Sequence, residues 1–295
     1  MDFSKLRGII YLNNKFLPSK KAQIHILNHS LHFASSVFEG IAVYNKKAFL
    51  SDDHFKRLIN SSKLLKLSFN KNLNELNKIA DILIKKNKII DGYLRPIVFR
   101  SSNSMSPDTE ECSTRFAMAA WQWGTLFKKK YISLDISKWP KLSEKEFPIA
   151  AKSSGSYQAS VISKAELNKK KFDDCIMLDL KGYIAESTAC NIFWIKKNII
   201  YTPKTHSILN GITRRAVIEI AKKNKIKLVQ GDYRLKDILT SDGVFLTGTA
   251  AEIQQVNKIK NKIVGTESLI IKRIVSEYKE LLKKNLKNLN QISKL

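Results

Sequence analysis

"FPIAAKSSGSY", residues 147–157, sets one lysine between an apolar run and a run of serines and glycine. The chain carries 52 Lys and Arg against 26 Asp and Glu, a formal net charge of +26. Nearly all the other cations sit among polar neighbours. A lysine withdrawn from water costs free energy unless it is paired or neutralised. Lys152 therefore has two readings. Its ammonium snorkels out of a strand end, or its amine is wanted neutral, as a nucleophile toward a carbonyl.

The composition narrows the choice. A chain of 295 residues with 43% apolar content accommodates one large or two medium domains, each with a full core. No stretch approaches the ~20 apolar residues of a membrane span. The N-terminal "MDFSKLRGII" lacks the apolar run and small-residue site of a signal peptide, so a cytoplasmic protein is expected. Cys112, Cys175 and Cys190 show no metal-ligand spacing; their sparse, odd count suits free thiols in a reducing compartment. The net charge invites a nucleic-acid reading. The lysines, however, are spread along the chain and interleaved with asparagine, as in "LNKKKF" and "AKKNKIKL". Arginine is scarce, and no aromatic RNA-binding motif, zinc-finger pattern or helix-turn-helix appears, so no specific nucleic-acid partner is expected.

Working outward from Lys152, the pattern separates into two halves. "IIYLNNKFL" and "VFEGIAVYNKKAFL" read as hairpins turning at Asn13-Asn14 and Asn45-Lys46. "SDDHFKRLINSSKLLKL" reads as a helix with Ser51 as N-cap, and "LNELNKIADILIKK" as a second amphipathic helix. "GYLRPIVFRSS" and "RFAMAAWQW" read as strands. Residues 1–123 are therefore expected to form a small α+β domain, and 124–131 an interdomain loop. In 132–295, "ISLDISKW" alternates strictly from Ile132 to Trp139 as a strand, and a helix follows Lys152 through "NKKK". "CIMLDL", "YIAES", "NIFWI" and "IIYTP" read as strands, "GITRRAVIEIAKKNKI" as a helix, and "GVFLTGTAAEIQQV" as a strand broken at Gly248. A last helix, 266–284, sets Leu269, Ile270, Ile274, Tyr278, Leu281 and Leu282 on one face.

Several residues then converge on one chemistry. Glu186, in "GYIAESTACNIFW", ends an apolar strand and precedes small residues. It is a solvated strand-end acid, or a carboxylate kept ionised beside a cationic nitrogen. "NGITRRAV" opens a helix whose unpaired N–H groups favour a phosphate. "LTGTAAEI" lets backbone approach a ligand closely at Gly248 and Thr249, and Arg57 is a candidate phosphate cation. A phosphate, a ring nitrogen that needs a carboxylate and an aldehyde that needs a lysine together describe pyridoxal 5′-phosphate.

"HSLHFASSVFEGIAVY", "YLRPIVF", "AAWQWG", "AAKSSGSY", "GYIAESTACNIF", "NGITR" and "TGTAAEI" resemble, in order, the motifs of the branched-chain amino-acid aminotransferases, which are fold-type IV pyridoxal phosphate enzymes. The resemblance implies a two-domain α+β fold like that of D-amino-acid aminotransferase, with a barrel-like sheet in the larger, C-terminal domain. It implies transamination of leucine, isoleucine and valine with 2-oxoglutarate, and a homodimer or trimer of dimers. By the same resemblance Lys152 is the Schiff-base lysine, Glu186 holds the pyridine nitrogen protonated, and Tyr157 bonds the phenolic oxygen. Arg57, Ile212, Thr213 and Thr249 form the phosphate cup. Phe38 and Trp123 wall the branched side-chain pocket. Tyr93, with backbone N–H groups of Thr249 and Ala250, receives the substrate carboxylate, and Arg95 the distal carboxylate of glutamate. Two departures concern substrate range: Phe33 and Leu126 stand where well-known bacterial members carry tyrosines. D-amino-acid aminotransferases and 4-amino-4-deoxychorismate lyases share the lysine and glutamate, while "LRPIVF", "AAWQWG" and "TGTAAEI" favour the branched-chain enzyme.

Overall fold

The computed structural model describes residues 3–167 and 171–287, and in it the chain divides into two compact units. The first takes the residues up to Gly124 together with Ala151–Gly155 and the described residues from Lys284 on; the second takes Thr125–Ala150 and Ser156–Lys283. Lys152 thus belongs to the first unit, although the sequence reading set it in the second domain.

In the first unit, β1 (Ile9–Leu12) and β2 (Lys15–Pro18) form the expected hairpin, and α1 (His29–Phe33) follows. Then come β3 (Ser36–Phe38), β4 (Ile41–Tyr44), β5 (Lys47–Ala48), α2 (Ser51–Leu64), α3 (Leu73–Lys86), β6 (Gly92–Arg100) and β7 (Thr114–Gln122). Asn13 and Asn14 adopt φ of 46° and 67°, and Asn45 and Lys46 adopt 46° and 65°, the left-handed pair that a two-residue turn needs to match strand twist. The strands pair antiparallel in the order β2-β1-β7-β6-β4-β5, with β3 also on β6. Side chains alternate along β6: Leu94 and Val98 join Phe55, Leu58, Leu76 and Leu83 in the core, and Tyr93 and Arg95 point to the other face. Pro96 lies between the stretch of β6 paired by β3 and the stretch paired by β4. Its missing N–H falls where the ladder is interrupted, and its carbonyl accepts from Glu39 N at 2.9 Å.

The second unit runs β8 (Tyr131–Ile136), α4 (Gln158–Leu167), β9 (Asp174–Leu178), β10 (Ile184–Ser187), β11 (Asn191–Lys196), β12 (Ile199–Pro203), α5 (Ile212–Lys223), β13 (Leu228–Gly231), α6 (Leu235–Ile238), β14 (Gly243–Gly248), β15 (Glu252–Ile259), β16 (Lys262–Ile263) and α7 (Leu269–Lys287). Its sheet has the order β10-β9-β8-β15-β14-β11-β12-β13, with β16 on β15. The β8–β9, β8–β15 and β12–β13 pairs are parallel and the rest antiparallel. The sheet curls until its end strand β10 reaches β11 and β12, and Ile184 N donates to Tyr233 O at 2.8 Å. Ile132, Leu134, Ile192, Trp194, Leu246 and Val256 fill the curve. This is the mixed α+β class with a half-barrel sheet.

Some local expectations are corrected. Ser51 is the first helical residue of α2; the N-cap is Leu50 at φ 51°, and the Ser51 hydroxyl instead donates to Asn77 Oδ1. β8 ends at Ile136, short of Trp139, because Ser137 Oγ accepts from Trp139 N and turns the chain. α7 buries Ile274 and Tyr278 on the expected face and Ile271 beside them, while Leu269, its first residue, is exposed. The helix tail expected at 168–170 lies outside the described residues. Among the described helices none is long and apolar enough to cross a membrane.

Leu94 is fully buried at the centre of the first core. Leu94→Ala is expected to lower stability by about 2–5 kcal/mol in urea unfolding, the cost of lost burial plus a cavity.

Candidate active site

In the first unit, the segment around Lys152 is stitched onto β3. Phe38 N donates to Lys152 O at 3.0 Å, Val37 bridges Ser153, and Ser154 N donates to Ser36 O at 3.0 Å. Lys152 N itself donates to Ser61 Oγ of α2 at 3.0 Å. The backbone here is thereby fixed from both sides, so the half-buried lysine side chain leaves a rigid base. Its Nζ lies 4.9 Å from the centre of the Phe38 ring. Arg95 lies over the same ring at 4.9 Å and over Tyr93 at 5.5 Å. No carboxylate among the described residues pairs with Arg95.

Tyr93 passes against Gly40, where an added Cβ would stand 1.8 Å from the tyrosine hydroxyl; only glycine leaves room. Beyond it the rings of Trp121 and Trp123 lie at 5.5 and 6.1 Å, and both indole N–H groups are buried with no hydrogen-bond partner. Lys152, Phe38, Tyr93, Arg95 and Trp123 are thus linked by ring contacts within this unit. Trp121, which had no assigned role, closes the aromatic wall.

Arg57 lies in the same unit on a carboxylate that the sequence reading passed over. Glu39 is fully buried; its Oε1 accepts from Arg57 Nε at 2.5 Å and its Oε2 from Arg57 Nη2 at 2.9 Å, with His54 Nδ1 at 2.7 Å. Burial pushes the Glu39 carboxyl upward, but Arg57 and His54 outweigh it and hold it well below the usual carboxylate range. Burial, with smaller contributions from Arg57 and Lys152, holds the His54 imidazole below its ordinary value despite Glu39. One signal was legible: Glu39 is an acid inside the apolar run "VFEGIAVY".

In the second unit, Glu186 stands near the end of β10, 5% exposed. Its Oε1 lies 3.0 Å from Lys141 Nζ, and its Oε2 accepts from Asn191 Nδ2 at 2.9 Å. Lys141 also lies over the Tyr157 ring at 5.2 Å, so it joins two expected site residues, Glu186 and Tyr157. Asn191 reaches the other way as well, donating to Leu209 O at 2.8 Å. Its Oδ1 would lie 2.1 Å from a Cβ on Gly211, so glycine is required at the N-cap of α5. No side chain caps that helix end, whose first residues are the buried Ile212 and Thr213. Tyr278 of α7 hydrogen-bonds Thr213, and burial raises its phenol well above the ordinary range. Thr249 and Ala250 sit in the short loop between Gly248 and Glu252, and Ala250 O accepts from Leu126 N at 2.8 Å. Thr247 Oγ1, just before that loop, is buried with no hydrogen-bond partner.

These residues suit pyridoxal 5′-phosphate. An ionic carboxylate, a helix start with free N–H groups and an orphaned buried hydroxyl are the donors and acceptors its ring and phosphate require. The Asn191 amide ties the carboxylate end to the helix end. Among the described residues no cluster of His, Cys, Asp or Glu could hold a metal ion.

The class IV amino-transferase family model matches residues 36–259. A probable branched-chain-amino-acid aminotransferase of Rickettsia conorii is 36% identical over 289 residues, covering 96% of this chain and all of the relative. The crystal structure of the Escherichia coli branched-chain amino acid aminotransferase superimposes with a TM-score of 0.90 at 30% identity, over 94% of this chain and 95% of that one. That of the branched-chain aminotransferase from the archaeon Thermoproteus uzoniensis, with norvaline, gives 0.91 at 28% identity, over 96% of this chain and 97% of that one.

Glu39 is ionised in the fold and buried, so removing its charge leaves Arg57 and His54 without their partner. Glu39→Gln is expected to cost about 3–5 kcal/mol in urea unfolding at neutral pH. Because the folded carboxyl titrates below its unfolded value, that difference is full above the ordinary carboxylate range and shrinks as pH falls below it.

Proposed function

The chain belongs to the class IV aminotransferase family, and from that premise we propose that it transfers the amino group of L-leucine, L-isoleucine and L-valine to 2-oxoglutarate with pyridoxal 5′-phosphate as cofactor. The observation that carries this reading is the Phe38 ring flanked by Lys152 and by an arginine, Arg95, that no carboxylate among the described residues pairs. An amine for the chemistry and a cation for a second carboxylate meet on an apolar surface.

When bound, pyridoxal phosphate supplies an aldehyde for primary amines and a ring that withdraws electrons from the substrate Cα. Lys152 Nζ would hold the cofactor through its aldehyde carbon, with water as the leaving group, and once displaced by the substrate amine would be the base for the proton at substrate Cα; its stitched backbone keeps it in place. Glu186 would hold a proton on the ring nitrogen, and Tyr157 would orient the phenolic oxygen. Backbone N–H groups of Ile212 and Thr213, with Thr249 and Arg57, would hold the phosphate. Tyr93, with the N–H groups of Thr249 and Ala250, orients the substrate carboxylate. Phe38 and Trp123 exclude water from the branched side chain.

Arg95 gives the pocket its second substrate. Leucine lays an apolar side chain against Phe38, whereas glutamate brings a carboxylate that must find a cation when it leaves water. Phe33 and Leu126 add no hydroxyls to help it. Exposed Ile24, Ile26, Leu27 and Leu31 support a homo-oligomer, a dimer or a trimer of dimers. Three buried free cysteines suit a reducing, cytoplasmic setting.

Lys152→Ala is expected to abolish transamination and the visible absorbance of the lysine-bound cofactor; wild-type turnover in the purified variant would overturn the assignment. Arg95→Met is expected to slow the glutamate half-reaction about 10–100-fold more than the leucine half-reaction, read by single-turnover absorbance. Equal losses would make Arg95 a structural residue.

A further inference from the structure

The second unit contains a buried lysine to which the reaction above gives no part. Lys141 is 8% exposed. Its backbone N–H donates to Leu178 O at 2.8 Å, which fixes it beside β9. From there the side chain crosses to two elements: Nζ donates to Ser160 Oγ of α4 at 3.3 Å and lies 3.0 Å from Glu186 Oε1 of β10. It also covers the Tyr157 ring. Burial pulls the ammonium's pKa down, but Glu186, with Tyr157 and Asp174, raises it above the ordinary lysine value, so the charge is kept. Asp174 is engaged by Thr188 Oγ1 at 2.7 Å, and Arg214, whose guanidinium also feels Glu186, is spent on Asn210, Pro203 and Gln230. Lys141 is the one cation within ion-pair distance of Glu186 among the described residues.

We propose that Lys141 is the resident counter-ion of Glu186: it balances the carboxylate before the cofactor binds and shares it with the cofactor's ring nitrogen afterwards. The inference rests on the assignment of Glu186 to the ring nitrogen. A buried carboxylate without a cation takes up a proton, and a protonated Glu186 cannot hold one on the ring. The cofactor-free site therefore needs an internal positive charge. A lysine suits this better than an arginine. Its compact ammonium has three donors, so it keeps Ser160 while Oε1, with two lone pairs, accepts a further N–H. A bidentate guanidinium would engage both carboxylate oxygens, including the one that already accepts from Asn191. Lys141 touches Glu186 and Tyr157 and no reacting atom, so it is a positioning residue.

The test is the melting temperature of four full-length proteins, each with and without saturating pyridoxal phosphate: wild type, Lys141→Met, Lys141→Arg and the double variant Lys141→Met/Glu186→Gln. Without cofactor, Lys141→Met should melt about 5–15 °C below wild type, the scale expected for an uncompensated buried charge. With cofactor the deficit should fall to less than half, because the ring nitrogen now supplies the cation. Lys141→Arg should recover most of the cofactor-free loss, and so should the double variant, in which both charges are gone. Equal deficits with and without cofactor, or a double variant no better than Lys141→Met, would make Lys141 a simple brace and overturn the proposal. If cofactor-free Lys141→Met does not fold, the double variant decides: a folded double variant supports the proposal and an unfolded one overturns it. A wild type that gains nothing from pyridoxal phosphate would instead refute the functional reading, and the comparison of single and double variants would still test the ion pair.

Discussion

A carboxylate withdrawn from water must find its cations inside the protein, and each unit of this chain is arranged around one that has. In the first, Glu39 sits at the interruption between β3 and β4, with Arg57 and His54 converging from α2. In the second, Glu186 stands near the end of β10 with Lys141 on one oxygen and Asn191 on the other. Glu39 is held ionised by its partners against its burial, and the buried Lys141 keeps its charge through Glu186. The excess of positive charge along the chain makes such pairs easy to supply but does not place them. Backbone does: Pro96 O receives Glu39 N, and Leu178 O receives Lys141 N. The sheets therefore set where the charges go, and the charges fix which side chains can turn toward a ligand.

Much of this was legible because it is local. The Asn13-Asn14, Asn45-Lys46 and Lys197-Asn198 turns announce themselves, since asparagine tolerates the left-handed backbone that such hairpins require. Lys152 stood out because an ammonium beside "PIAA" needs a reason. The same criterion, applied evenly, would have picked Lys141 in "WPKL" and Glu39 in "VFEG", each a charge among apolar neighbours. What no local reading supplies is the partner. That Glu186 meets Lys141 depends on β9 lying between the Lys141 segment and β10, and that Ala151–Gly155 belongs with the first unit depends on its bridge to β3. The parallel β12–β13 pair is likewise invisible, since its connection runs through a whole helix. At the start of α7, Leu269, Ile270 and Ile271 are consecutive and apolar, so the pattern alone does not say which is buried; Ile271 is, and Leu269 is exposed.

The cations withdrawn from water in the two units fall into two kinds. Arg57 and Lys141 are tied to fixed acids, so their charge is balanced before any ligand arrives. They hold geometry. Arg95 is held by the faces of Phe38 and Tyr93, which stabilise a guanidinium weakly and without satisfying its N–H donors. Such a cation can be ignored by a ligand that touches only the rings, and it can be claimed by one that carries a carboxylate. Had Arg95 been given a carboxylate like that of Arg57, an incoming anion would have to displace a buried ion pair, and the rings alone would define the pocket. In the function proposed above, a cation resting on aromatic faces is what would let a single apolar surface accept both leucine and glutamate, the alternation that transamination between them requires.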